Sequence, residues 1–165
     1  MPIKHCGDMT KLKNPYANFP GHNCFGCNPN NPSGLRMEFS KEGDEIVCKW
    51  KPDQHFMGFH DMLHGGIQAT MMDEIASWVV LVNMDTAGVT YQLNTRFRKP
   101  VYISKGTITV RAKLVRQQKR IAEIEARIFD GNDVLCSEGQ VNYFIMPHDK
   151  AVEELNYPGK EAFLK

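Results

Sequence analysis

Apolar residues occupy almost the whole circumference of one segment in this chain of 165 residues. Ile67, Met71, Ile75, Trp78, Val79 and Val82 cover most of a helical wheel, while Thr70, Asp73, Glu74 and Ser77 recur at three- and four-residue spacing as one polar stripe. A helix without a broad polar face is a buried helix. The pattern therefore predicts a long central helix from near Gly65 to about Asn83, introduced by the pair Gly65-Gly66.

Around it the period changes from helical to alternating. Leu35, Met37 and Phe39, a turn at Lys41-Glu42-Gly43-Asp44, and then Ile46, Cys48 and Trp50 predict a hairpin before the helix. After it, Tyr91, Leu93, Thr95 and Phe97 predict one face of a strand that ends at Pro100. Ile108, Val110, Ala112 and Leu114 predict another, Ala122, Ile124, Ala126 and Ile128 the next, and Val141, Tyr143 and Ile145 the last, ending at Pro147. Turns at Arg116-Gln117-Gln118-Lys119-Arg120 and Asp130-Gly131-Asn132-Asp133 separate them. A hairpin, one buried helix and a meander make an α+β fold, an antiparallel sheet wrapped around one long central helix. One such layer leaves an exposed face and edges, so dimerisation is expected.

The start of the helix is a candidate site. First-turn N–H groups have no intrahelical partner, and Gly65 and Gly66 leave them unshielded by a Cβ, which suits a developing oxyanion. A Gly-Gly pair also serves as a tight turn into a helix, and a Thr/Asp/Glu/Ser stripe as a solvated face. Asp73 and Ser77 lie two to three turns further on, at about 1.5 Å per residue. They meet a carbonyl held at the helix start only through a bent ligand or a second subunit.

Charge narrows the classes of partner. A net charge of +1 argues against a nucleic-acid or membrane surface as the main partner. Met1 to Pro20 is polar and broken by Asn14-Pro15, no apolar run approaches the ~20 residues of a membrane span, and a cytoplasmic location is expected. Five cysteines, an odd number, read as reduced thiols. Cys24 and Cys27 form a lone Cys-x-x-Cys; Cys6, Cys48 and Cys136 stand apart, and even with His22 the ligand set is incomplete, so a structural loop and no metal are expected. His55, His60, Asp61 and His64 match no common metal spacing and read as a pocket-lining loop. No Walker or dinucleotide loop occurs, and no cofactor is expected.

The residues His55-Phe56-Met57-Gly58, Leu63-His64-Gly65-Gly66-Ile67, Ala69-Thr70, Asp73-Glu74, Leu93-Asn94-Thr95-Arg96-Phe97 and Pro100-Val101 resemble the hotdog-fold acyl-CoA thioesterases of the phenylacetate-pathway (PaaI-like) type. Upstream, Cys24-Phe25-Gly26-Cys27, Asn31-Pro32 and Gly34-Leu35 resemble the start of many members, so the similarity runs from about Cys24 to Pro147. The resemblance divides the chain into an N-terminal extension 1–22, a thioesterase-like domain 23–147 and a tail 148–165 in which Ala151 to Leu155 predicts a short helix.

That resemblance implies hydrolysis of an acyl-CoA to acid and coenzyme A at two sites shared across a homodimer, which pairs further into a tetramer. The N–H matching Gly65 would polarise the thioester carbonyl. The carboxylate matching Asp73, from the other subunit, would act as nucleophile or general base toward water. Ser77 or Thr90 match orienting hydroxyls, and His64 matches a positioning residue at the pocket mouth. Gly66, Gly58, His60, Asp61, Asn94 and Arg96 are the candidate substrate-binding residues. Gly58 stands where several members carry Asn or Gln, with His60 and Asp61 nearby to supply a polar contact. That substitution keeps a non-catalytic acyl-CoA or lipid-binding module open as the alternative, whereas Asp61 and His64 sit too close to match enoyl-thioester hydratases. Arg96, Arg98, Lys99, Arg116, Lys119 and Arg120 are placed to meet coenzyme A phosphates or simply to be solvated.

Overall fold

The computed structural model describes residues 8–164; residues 1–7, with Cys6, and residue 165 lie outside it. The predicted helix is there with its predicted ends: α1 spans Gly65–Asn83, and Met71, Met72, Ile75, Ala76, Trp78 and Val79 to Val82 are all buried. Apolar positions on every side leave it no stable place except the middle of the molecule.

The strands are β1 (Met9–Lys11), β2 (Ser40–Glu42), β3 (Glu45–Trp50), β4 (Gly88–Phe97), β5 (Ile108–Gln118), β6 (Ile121–Phe129) and β7 (Leu135–Ile145). They form one antiparallel sheet in the order β1-β2-β3-β5-β6-β7-β4, which wraps around α1 in the hotdog arrangement. The alternating residues of β5 to β7 face the helix: Ile108, Val110, Ala122, Ile124, Ala126, Ile128 and Val141 are fully buried. Burying such side chains stabilises by roughly 1.5–3 kcal/mol each, which fixes the strand register because a one-residue slip would turn them all outward.

Two features differ from the sequence-based expectation, and a third settles the place of the tail, whose role the sequence leaves open. The first strand of the predicted hairpin is short, covering Ser40–Glu42, and Leu35, Met37 and Phe39 lie before it. These three are buried, so their alternation reports burial, but their backbones bond to a loop instead of a strand: Leu35 N–H to Phe25 O, Met37 N–H to Gly26 O, and Phe39 O to Leu12 N–H, at 2.8–2.9 Å.

In β4 a bulge between Thr90 and Gln92 leaves Tyr91 as an extra residue. Thr90 stands opposite Tyr143 and Leu93 opposite Val141, so both face α1, whereas Tyr91, expected on that face, is 65% exposed.

The chain's last residues are built into the core. After α2 (His148–Leu155), Tyr157 and Phe163, the latter on α3 (Glu161–Leu164), are buried. Phe163 stands edge-on to Trp78 of α1 with ring centroids 5.2 Å apart, Phe39 stacks on Trp78 at 4.4 Å, and Lys13 N–H bonds to Phe163 O. Segments on either side of 23–147 thus share a single hydrophobic cluster with it. Among the described residues, no helix is long and apolar enough to cross a membrane.

Candidate active site

The first turn of α1 opens on a cleft of about 590 Å³ lined by Gly58, Phe59, Leu63, His64, Gly65 and Phe97, with Arg98 and Lys99 at one side. His64 is the N-cap, and its Nδ1 accepts the Gly66 N–H at 2.9 Å. An accepting Nδ1 leaves the ring proton on Nε2. The first intrahelical bond runs from Gln68 N–H to His64 O. Gly65 N–H lies ahead of it, and the helix itself offers that N–H no acceptor. The ring of Phe97 packs over this glycine, at 3.7 Å from where a Cβ would stand.

Asp73 lies about 12 Å further along the same helix at 1.5 Å per residue. Its Oδ1 accepts the Thr90 hydroxyl at 2.7 Å, and the Tyr143 hydroxyl lies 2.9 Å from both its Oδ1 and its main-chain oxygen. Thr90 and Tyr143 are cross-strand neighbours, so the β4 bulge and the β7 register together place two hydroxyls on one carboxylate oxygen. Burial, and then the charge of Asp73, push the Tyr143 hydroxyl well above its ordinary range, which keeps it protonated. Thr90 was legible through the family resemblance. Tyr143 was not, because its place in an alternating apolar strand reads as core; the signal was the hydroxyl itself, which needs a partner when buried.

Other candidates fall elsewhere. Ser77, partly buried, sits one turn beyond Asp73. Asp61 holds a φ of 59° and accepts bonds from the Ser104 N–H and hydroxyl, which lower its pKa, so its carboxylate ties the 58–63 loop to the Ile103–Lys105 turn. His60 is exposed, and neither residue lines the Gly65 cleft. Gln68 does line it, but its amide bonds to Leu63 O and to the Ser137 hydroxyl, so the cleft gains no free amide in place of Gly58. Asn94 and Arg96 line a separate cleft over β6 and β7, beside Glu123, Glu125 and Glu138. Within one chain, then, Gly58, His64 and Gly65 come together, Asp73 and Thr90 come together, and the two groups stay apart.

Glu74 departs from the polar stripe and turns to the other side of the helix. Both carboxylate oxygens lie 3.5 Å from Cys24 Sγ, and Trp78 Nε1 donates to Oε1 at 3.3 Å. Cys24, Cys27 and Glu74 bring their ligand atoms within 4.8 Å of one another. Sequence spacing could not find this cluster, because Glu74 is 50 residues from Cys24.

Comparison with known proteins bears on the family and the fold. Residues 60–137 match the family model of the thioesterase superfamily. A protein of Saccharolobus solfataricus described as "Putative esterase SSO1253" is 31% identical over 106 residues, which cover 63% of this chain and 69% of the relative. Two further curated relatives are spanned over 57% and 63% of their length. The PaaI protein of the E. coli phenylacetic acid degradation operon superposes with a TM-score of 0.61 at 16% identity, covering 68% of this chain and 83% of that one. A hypothetical thioesterase of Streptococcus pneumoniae, solved with coenzyme A, superposes with a TM-score of 0.61 at 20% identity, over 67% of this chain and 88% of that one. With the His-Gly-Gly start of α1, its acid nine residues after the histidine and the sheet wrapped around both, the chain belongs to the thioesterase superfamily.

Proposed function

We propose that this protein hydrolyses acyl-CoA thioesters at sites shared between two copies of the chain. The observation that carries the reading is the separation on α1: an uncommitted N–H at Gly65 and a carboxylate at Asp73, held by two hydroxyls, too far apart to meet on one small reacting group. A second subunit supplies the missing half of each site.

In this mechanism the acyl group lies in the Gly65 cleft with its carbonyl oxygen on the Gly65 N–H. The partner's carboxylate at position 73 attacks the carbonyl carbon, or takes a proton from a water that does. The oxyanion of the tetrahedral adduct is stabilised by Gly65 N–H and the positive end of α1. Collapse breaks the C–S bond and expels the coenzyme A thiolate, and in the covalent route water then cleaves the acyl-aspartyl anhydride. Lys99 at the cleft gives the coenzyme A phosphates a cationic partner, whereas Arg98 there is already paired with Glu138.

The shared site rests on self-association through β4. That strand closes the sheet with its outer edge unpaired, and it exposes Val89, Tyr91, Leu93 and Phe97. An exposed, apolar edge of this kind pairs with another strand, and an antiparallel β4–β4 contact joins two sheets into one.

The test is a panel of acyl-CoA thioesters assayed for free thiol release. At least one should turn over, and Asp73→Asn should slow the chemical step by a factor on the order of 10² while substrate binding survives. Binding without thiol release across the panel would instead identify a non-catalytic acyl-CoA module.

A further inference from the structure

We infer that Cys24, Cys27 and Glu74 form a binding site for a thiophilic divalent cation such as zinc. The inference stands apart from the hydrolytic reading, since none of the three lines the Gly65 cleft or touches Asp73's hydroxyl partners.

The geometry is that of a tetrahedral edge. Zinc holds thiolate sulfur at about 2.3 Å and carboxylate oxygen at about 2.1 Å, which at a tetrahedral angle separates sulfur from oxygen by ~3.6 Å. Cys24 Sγ stands 3.5 Å from both oxygens of Glu74. With both oxygens equidistant from the sulfur, either can take the ligand position. Cys27 Sγ completes a triangle whose edges are all within 4.8 Å, leaving one vertex for water.

The loop that carries the cysteines is built to hold them. Asn28 N–H bonds to Cys24 O, Leu35 N–H to Phe25 O and Met37 N–H to Gly26 O, so residues 24–37 are locked before any ion arrives. Gly26 lies against the carboxylate so closely that a Cβ there would stand 2.6 Å from its atoms, so any larger residue would push the Glu74 side chain aside.

A bound cation would take both sulfurs as thiolates, and their protons would pass to solvent.

Titration of the full chain with Co²⁺ tests the site. We expect one equivalent per chain, with visible bands of tetrahedral cobalt and a near-ultraviolet thiolate-to-cobalt charge-transfer band, displaced by Zn²⁺. Cys24→Ser and Cys27→Ser should each reduce the charge-transfer band by half or more and together abolish it, and Glu74→Gln should weaken binding by about tenfold or more. The wild-type spectrum decides even if the cysteine variants fail to fold. Cobalt bound without a charge-transfer band, no binding at all, or a Cys24–Cys27 disulfide in protein purified without reductant would each overturn the proposal.

Discussion

Asp73 Oδ1 receives two neutral hydroxyl donors, and the two differ in what they have to lose. Thr90 sits on a partly exposed bulge where water can replace its hydroxyl, whereas the Tyr143 hydroxyl is in a buried ring that also bonds to the Asp73 main chain. Tyr143→Phe should therefore lower kcat by about tenfold with KM little changed, and Thr90→Ala by less; a change confined to KM would mean that neither positions the carboxylate. Ser77→Ala should likewise cost less than Asp73→Asn. Gly65 offers a cleaner deletion. It is the first helical residue, preceded by His64 at φ −58° and ψ 134°, a conformation that proline accepts on both counts. Gly65→Pro removes one N–H while keeping the helix, and loss of the proposed oxyanion donor should reduce kcat by about 10²-fold or more. The motif made Asp73 and Gly65 legible in the sequence; Tyr143 and the turn of Glu74 toward Cys24 were not, because both depend on contacts between residues 50 or more positions apart.

At the level of elements, period-two alternation read β6 and the buried parts of β5 and β7, which face α1. β5 continues through Arg116, Gln117 and Gln118, residues expected in the turn because this exposed end carries no apolar alternation, and β7 starts at Leu135, ahead of the expected Val141. Alternation misread residues 35–39, where alternate burial comes from packing under the N-terminal loop, without a ladder partner. The β6–β7 turn shows how tightly such connections are fitted. A Cβ on Gly131 would stand 1.8 Å from Lys105 O, so Gly131→Ala must displace backbone and should destabilise by about 3 kcal/mol, measurable by urea unfolding. Within the same turn, burial raises the Asp130 carboxyl, but N–H bonds from Val134 and Asn132 and the Lys105 ammonium outweigh it and hold its pKa below the ordinary 3.8. A depressed carboxylate stabilises the fold above its unfolded value and loses that contribution as pH falls through its folded value. Wild type should thus lose stability below about pH 4, and Asp130→Asn should start less stable and show a shallower acid decline in thermal melts.

For the whole molecule the decisive quantity is the state of association. Light scattering at micromolar concentration should give a dimer or a pair of dimers. Tyr91→Asp with Leu93→Asp puts charge on the β4 edge and should yield a monomer with α1 intact by circular dichroism and thiol release lowered by about 10²-fold. A fully active monomer would remove the shared site. No sequence pattern can reveal this edge directly, since Leu93 and Phe97 read as ordinary inward-facing positions until the helix is seen to leave them partly uncovered.

In the proposed dimer, a single helix that carries Gly65 at its start and Asp73 two turns on serves two different sites, and this has a statistical consequence. Gly65→Pro and Asp73→Asn chains, each inactive alone, combine into a mixed dimer in which one site inherits both lesions and the other inherits none. Random co-assembly makes half the dimers mixed, with one working site of two, so co-expression of two dead enzymes should restore about a quarter of wild-type turnover. If each chain instead completed its own site, every site would keep one lesion and the mixture would stay dead.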